Sequence, residues 1–259
     1  MDIQKINSIT KYPSILTYHE IGERGRLKDT LTQAKCFPSD EMLYCYEKVD
    51  GENSRMIFIN DGEEADYFIG SREELLTSKG DRIANPYGNI AEFLKPLAEK
   101  LKGSIFKNRN DLALTVIYQE SYGGKTPKSK NYTQNKTQGY QVFDVFSLTW
   151  EQFNGLMDRD VSAIASWRDN GGQPFYNETE KRRLVDGFKL DASPIVDHLS
   201  SDLFPESIDD VYTYLKRYEF TKVGIDVIGK SEGVIVRTEN RSMIRKVRFE
   251  DYERTLRAR

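Results

Sequence analysis

The sequence predicts an α+β fold, on three observations. Strand-like runs of apolar, aromatic and β-branched residues cluster around the most polar motifs, helical spacing appears between them, and no repeat, low-complexity tract or long linker divides the chain. Strands and helices grouped in this order favour α+β over a wound parallel sheet. One domain over residues 1–259 is the simplest organisation, and a 38% hydrophobic content is enough to fill its core.

The elements follow in order. Residues 43–48 and 54–60 read as strands bounded by turn residues. Residues 90–102 place Ile90, Phe93, Leu94, Leu97, Ala98 and Leu101 three and four apart, a helix with an apolar stripe for the core. Strands at 112–120 and 140–146 come next, then helices at 150–159, 178–187 and 208–218. Ser207 is the N-cap of the last helix, with Asp209 and Asp210 in its first turn. Strands at 233–237 and 243–249 complete the series. Residues 150–230 carry the fewest signals, and a helical insertion or layer within the domain is expected there.

Composition removes several classes of function. The longest apolar runs have strand length, far short of a membrane span, and no basic-then-apolar leader opens the sequence, so a soluble cytoplasmic protein is expected. Two cysteines make neither a disulfide framework nor a four-ligand zinc site, and His19 and His198 have no partner at metal-ligand spacing. A net charge of −3 argues against holding nucleic acid by the overall field, so local clusters matter more. Two stand out: Lys125, Lys128, Lys130 and Lys136 in one polar stretch, and Arg245, Lys246, Arg248, Arg254, Arg257 and Arg259 at the C-terminus.

The strongest motif is Glu47-Lys48-Val49-Asp50-Gly51-Glu52-Asn53, set between two strand-like runs. A lysine at a strand end, followed by a tight turn, is aimed into a cleft where burial and neighbouring cations make its free amine accessible. That is what a nucleophilic lysine needs, although a surface turn with Asp-Gly at its corner fits the heptapeptide equally well.

Company decides between them. The heptapeptide resembles motif I of the covalent nucleotidyltransferase superfamily, and further resemblances follow in the superfamily's order: Ile69-Gly70-Ser71-Arg72, then Tyr118-Gln119-Glu120-Ser121-Tyr122-Gly123 for motif III. Phe143-Asp144-Val145 is similar to motif IIIa, Glu232-Gly233-Val234-Ile235-Val236 to motif IV, and Lys246-Val247-Arg248 to motif V. Each motif is short and weak alone; in order around one lysine they are strong. Glu47 and Asn53 resemble the phage-type and RNA-editing class of ATP-dependent RNA ligases. Arg248 stands where motif V usually has a second lysine, and arginine is not a like-for-like replacement beside a reacting phosphoryl group.

The resemblance implies an ATP-grasp-like ligase domain of antiparallel sheets flanked by helices, with no OB-fold, because few residues follow motif V. It implies ATP, with Mg²⁺ or Mn²⁺ held beside Glu232, and a reaction that joins RNA 3′-hydroxyl and 5′-phosphate ends through a lysyl-AMP on Lys48 and an adenylylated RNA, in RNA repair. Lys246 and Arg248 would offset phosphate charge. Glu47, Asp50, Gly51 and Asn53 would surround the nucleotide, with Arg72 on the nucleotide or the RNA phosphate, Glu120 on the ribose and Phe143 stacked on the purine. Arg55 would meet the RNA.

Gly123-Gly124-Lys125-Thr126 lacks the earlier glycine of a P-loop. The loop 123–139 suits phosphate contact beside a ligase cleft through Lys125, Lys128, Lys130 and Lys136, and a solvated loop fits equally well. RNA ends, nicked or single-stranded, are the expected partners, without a membrane, and a protein partner could supply an accessory domain. Capping guanylyltransferases and DNA ligases share the lysine chemistry, but Asn53 and the short stretch after motif V count against both. A non-catalytic RNA-end-binding module is the alternative of another class; the joint presence of Lys48, Glu120, Glu232 and Lys246 counts against it.

Overall fold

A computed structural model describes residues 1–33, 36–62, 64–78, 81–83 and 89–259. Its larger sheet has six strands in the order Gln138–Thr149, Leu112–Gly123, Glu52–Asn60, Ala65–Ser71, Leu75–Ser78 and Asp81–Arg82, all antiparallel. The smaller has five, in the order Leu16–Thr17, Ile244–Arg248, Gly233–Thr238, Met42–Lys48 and Ile195–Ser200. It too is antiparallel, except that Leu16–Thr17 runs parallel to Ile244–Arg248. The expected α+β class is what is found, with no closed barrel among the described residues.

The two sheets bury their faces differently. The six-stranded sheet is covered on both. Met56, Phe58, Ile69 and Ile117 pack under Leu94 and Leu101 of helix Ile90–Lys102, while Ile57, Val116 and Phe146 meet Ile6, Phe153 and Ile164 of other helices. This explains why residues 112–118 read as one continuous apolar run instead of an alternation. The five-stranded sheet buries one face: Leu43, Cys45, Val234, Val236 and Val247 pack on Val211 and Leu215 of helix Ile208–Lys216 and on Tyr252 of helix Phe249–Leu256.

Helix starts follow local chemistry. Ser207 accepts from the Asp210 amide as the expected N-cap, and Thr149 with Gln152 and Asn177 with Glu180 form capping boxes. Two expectations need correction. Residues 150–230 are more than a helical layer, because Ile195–Ser200 adds an edge strand to the five-stranded sheet. The last predicted strand ends at Arg248, and Phe249–Leu256 is a helix whose acidic first turn leaves Arg254 paired with Glu250.

Candidate functional site

Strand Met42–Lys48 belongs to one sheet and Glu52–Asn60 to the other, so the turn 49–51 joins the two sheets at Lys48. The turn lies against the motif III strand: a Cβ at Gly51 would come 2.3 Å from the Ser121 carbonyl oxygen, so only glycine fits. Val49 anchors it from below, packing with Tyr122, Tyr132 and Val223. The Asp50 amide donates to the Tyr132 hydroxyl at 2.7 Å.

Register then assembles one working face. Lys48 lies opposite Gly233, Gly233 opposite Arg248, and Ile235 opposite both Tyr46 and Lys246. Successive strand residues alternate between faces, so Tyr46, Lys48, Ile235, Lys246 and Arg248 project together, away from the core formed by their neighbours. All five line a cleft of about 770 Å³. Gly233 has φ +151°, and a Cβ there would sit 2.1 Å from the Val247 carbonyl oxygen, which explains the glycine after Glu232.

At this end the Lys48 ammonium donates to Glu232 Oε2 at 2.5 Å. Arg248 stands 4.0 Å from Glu232 Oε1 and forks onto Asp251 at 2.8 and 2.9 Å. Lys246 has no ion pair among the described residues; burial, and the nearby Arg248, Lys48 and Arg72 cations, hold its pKa below the ordinary lysine range. Glu120 Oε1 accepts from the Gly51 amide at 3.2 Å, and burial, aided by Glu232 and Asp50 and opposed by Lys48, pushes its carboxyl up to about 7. Burial and the Glu232 charge also raise Asp50. Glu52 Oε2 and Asn53 Oδ1 are buried at the cleft wall without a hydrogen-bond partner among the described residues.

The other end is aromatic and closed by buried charge. Val142 pairs with Gln119 and Asp144 with Tyr118, so Phe143 is the extra residue of a β-bulge, a device that re-aims a side chain. Phe143 lines the cleft and meets Tyr12 edge-on at 5.1 Å. Behind it, the fully buried Asp144 accepts from Arg237 at 3.3 Å, Tyr12 at 2.9 Å and Arg241. Lys181, pushed down to about 8 by burial and the nearby Arg237, pairs with buried Glu178 at 3.0 Å.

The structure gathers Lys48, Asp50, Gly51, Asn53, Arg72, Glu120, Phe143, Glu232, Lys246 and Arg248 around this one cleft. Glu47 borders it too, but its carboxylate turns away, accepting from the Thr221 hydroxyl at 2.5 Å and the Lys222 amide at 2.6 Å. Arg55 is a correction: its side chain is fully buried and bonds Asn7 of the N-terminal helix, so no polynucleotide reaches it. Lys125, Lys128, Lys130 and Lys136 are exposed on a loop beside the cleft and are not part of its lining. Sequence reasoning missed Tyr12, Pro13 and Ile15, which line the cleft from a segment with no local signal. It also missed Arg237, which the alternation from Ile235 could have found. No three His, Cys, Asp or Glu side chains converge as a metal site among the described residues.

This is the architecture of a lysine-centred ligase fold, and comparison with known proteins agrees. Residues 41–252 match the RNA ligase family, and the chain belongs to that family. No curated protein matches significantly. The chain is similar in structure to the Naegleria gruberi RNA ligase with pyrophosphate (14% identity, TM-score 0.53), covering 85% of this chain and 53% of that one. A variant of the same ligase with ATP and manganese is similar at 12% identity and TM-score 0.53, covering 96% and 64%. An archaeal ATP-dependent RNA ligase is similar at 16% identity and TM-score 0.53, covering 93% and 49%. The chain therefore spans about half to two-thirds of the length of these ligases.

Proposed function

We propose that this chain is a catalytic domain that seals RNA 3′-hydroxyl and 5′-phosphate ends at the expense of ATP. The observation that carries the proposal is the contact of Lys48 with Glu232 on a face shared with Lys246 and Arg248, with Glu120 across the cleft. Nucleotide chemistry suits the partners left open there. The orphaned Asn53 Oδ1 accepts from a hydroxyl such as a ribose offers, and the unpaired Lys246 donates to phosphate oxygens. Phe143, aimed by its bulge, gives a purine a stacking face. ATP and manganese accompany the Naegleria ligase in its solved structure.

In the first step the Lys48 amine, after losing its proton, attacks the α-phosphorus of ATP. An N–P bond forms as the P–O bond to pyrophosphate breaks, leaving a lysyl-AMP. Glu232 orients the amine, while Lys246 and Arg248 offset charge on the transferring and leaving groups. Glu232 would also hold Mg²⁺ or Mn²⁺, since such cations use one or two carboxylates plus substrate phosphates; when bound, the ion neutralises phosphoryl charge. An RNA 5′-phosphate oxygen then displaces Lys48 from phosphorus, and a 3′-hydroxyl attacks that 5′-phosphate and expels AMP.

The test is incubation of the pure protein with each α-labelled nucleoside triphosphate and Mg²⁺, followed by intact-mass analysis. One added AMP is expected in the wild type and none in Lys48→Ala. Label that survives this substitution, or that comes from GTP as readily as from ATP, overturns the proposal.

A further inference from the structure

We propose that two interlocked loops beside the nucleophile, residues 123–137 and 219–231, form a ledge that holds the single-stranded stretch of RNA next to the reacting end, with Phe220 as its base-stacking face. The inference rests on the ligase reading and adds to it a surface and a mode of recognition. Phe220 lies in the segment whose sequence carries the fewest local signals.

The two loops behave as one object. The amides of Ile225 and Gly229 donate to the carbonyl oxygens of Tyr132 and Asn131, both at 2.8 Å. The Asn131 side chain returns a bond to the Lys230 carbonyl at 3.1 Å, and the Asp226 carboxylate accepts from the Gln134 amide and the Asn135 side chain at 2.8 and 2.7 Å. The second loop closes on itself, Thr221 donating to the Gly229 carbonyl and Ser231 to that of Glu219. Compact loops with closed ends are frequent carriers of function.

The ledge is also fastened to the chemistry. Glu47, immediately before the nucleophile, accepts from Thr221 and Lys222, and Tyr132 accepts from the Asp50 amide, immediately after the turn begins. Val223 packs against the Val49 cluster. Whatever lies on the ledge is thereby held at a fixed offset from Lys48, as a substrate strand has to be.

Its outer surface has the composition that single-stranded nucleic acid requires. Phe220 is 64% exposed and Ile228 73% exposed. On the same two loops Lys125, Lys128, Lys130, Lys136 and Lys222 are all exposed, and none makes an ion pair among the described residues. Unpaired cations concentrated on one feature of a chain of net charge −3 point to an anionic ligand. An exposed aromatic ring among them points to one with flat faces. Base stacking on an aromatic side chain combined with lysine–phosphate contact is how single strands are held without sequence preference.

The test measures binding of a short 5′-phosphorylated single-stranded RNA, and of a duplex of the same length, across a salt titration, with lysyl-AMP formation assayed on the same samples. Phe220→Ala should weaken single-strand binding about 5- to 150-fold, leave its salt slope unchanged and affect the duplex less. Phe220→Tyr should bind as the wild type. The fourfold alanine variant of Lys125, Lys128, Lys130 and Lys136 should instead flatten the salt slope, because fewer phosphate contacts release fewer counterions. All variants should form lysyl-AMP normally. Wild-type binding by Phe220→Ala overturns the ledge, as does equal weakening by Phe220→Tyr. A change of oligomeric state in Phe220→Ala with RNA binding intact would assign the patch to a protein contact instead. Failure of the wild type to form lysyl-AMP counts against the ligase reading alone, since RNA binding is scored separately.

Discussion

Basic residues stand at or behind both ends of the cleft, but the two ends settle their charges differently. At the aromatic end each cation has a buried anion: Arg237 and Arg241 share Asp144, and Lys181 and Arg182 share Glu178. At the lysine end Lys48 has Glu232 and Arg248 has Asp251, while among the described residues Lys246 has no carboxylate partner and Arg72 reaches Glu73 at 3.7 Å and the Ser14 hydroxyl at 3.2 Å. The same residue types therefore do two jobs. Where the partner is internal, the cluster fixes the fold around the bulged Phe143. Where it is missing, at Lys246, the cation is left open, as the phosphate contact proposed above requires.

The largest effect that would break this contrast is expected at Asp144. Asp144→Ala leaves two buried arginines without their anion, and breaking a buried pair in this way costs about 3–5 kcal/mol. Urea unfolding should report that loss. A cost below about 1 kcal/mol would mean that the aromatic end is not a structural cluster. Lys246→Ala should do the converse: stability within about 1 kcal/mol of the wild type, with lysyl-AMP formation slowed about 100- to 1000-fold, the scale of removing one group aimed at developing charge. If single-turnover rates stay near wild type, or if the variant unfolds as easily as Asp144→Ala, the two ends are not distinct.

Much of this arrangement was legible in the sequence, for identifiable reasons. Burial alternates along 244–248 because one face is core and the other is cleft, and Lys246 and Arg248 on the cleft face were legible through their resemblance to motif V. Gly51 and Gly233 stand where backbones approach too closely for a side chain. What was hidden depends on contacts distant in sequence. Arg55 looked like a surface cation because its burial comes from the N-terminal helix. Ile195–Ser200, a half-exposed edge strand, carries polar and apolar residues without a clear pattern. The loop 123–139 reads equally well as solvated or functional from sequence, because what locks it is Tyr132 bonding Asp50 and a second loop from the far side of the sequence.

The smallest expected effect sharpens the contrast by pH. Burial pushes the Glu120 carboxyl up to about 7, with Glu232 and Asp50 adding to the rise and Lys48 opposing it. The ordinary glutamate value is about 4.3, so between about 4.3 and about 7 the folded protein holds this proton more firmly than the unfolded chain does. The stabilisation from this group is therefore complete below that window and is lost as pH rises through it. At about 1.4 kcal/mol per pH unit this difference has an upper bound of about 4 kcal/mol, and because the Glu120 side chain is only half-buried, solvent screening leaves a small part of it, which makes this the weakest of the effects. Activity should run the other way, because an ionised Glu120 is the better acceptor for ribose hydroxyls and for the Gly51 amide. Stability should thus fall while lysyl-AMP formation rises across the same pH range, and Glu120→Gln should flatten both curves. Urea unfolding and single-turnover labelling, each run as a pH series, read the two sides. If wild type and Glu120→Gln trace parallel profiles, the carboxyl at the lysine end titrates no differently in the folded and unfolded chain, and the poised state of that end lies with Lys246 alone.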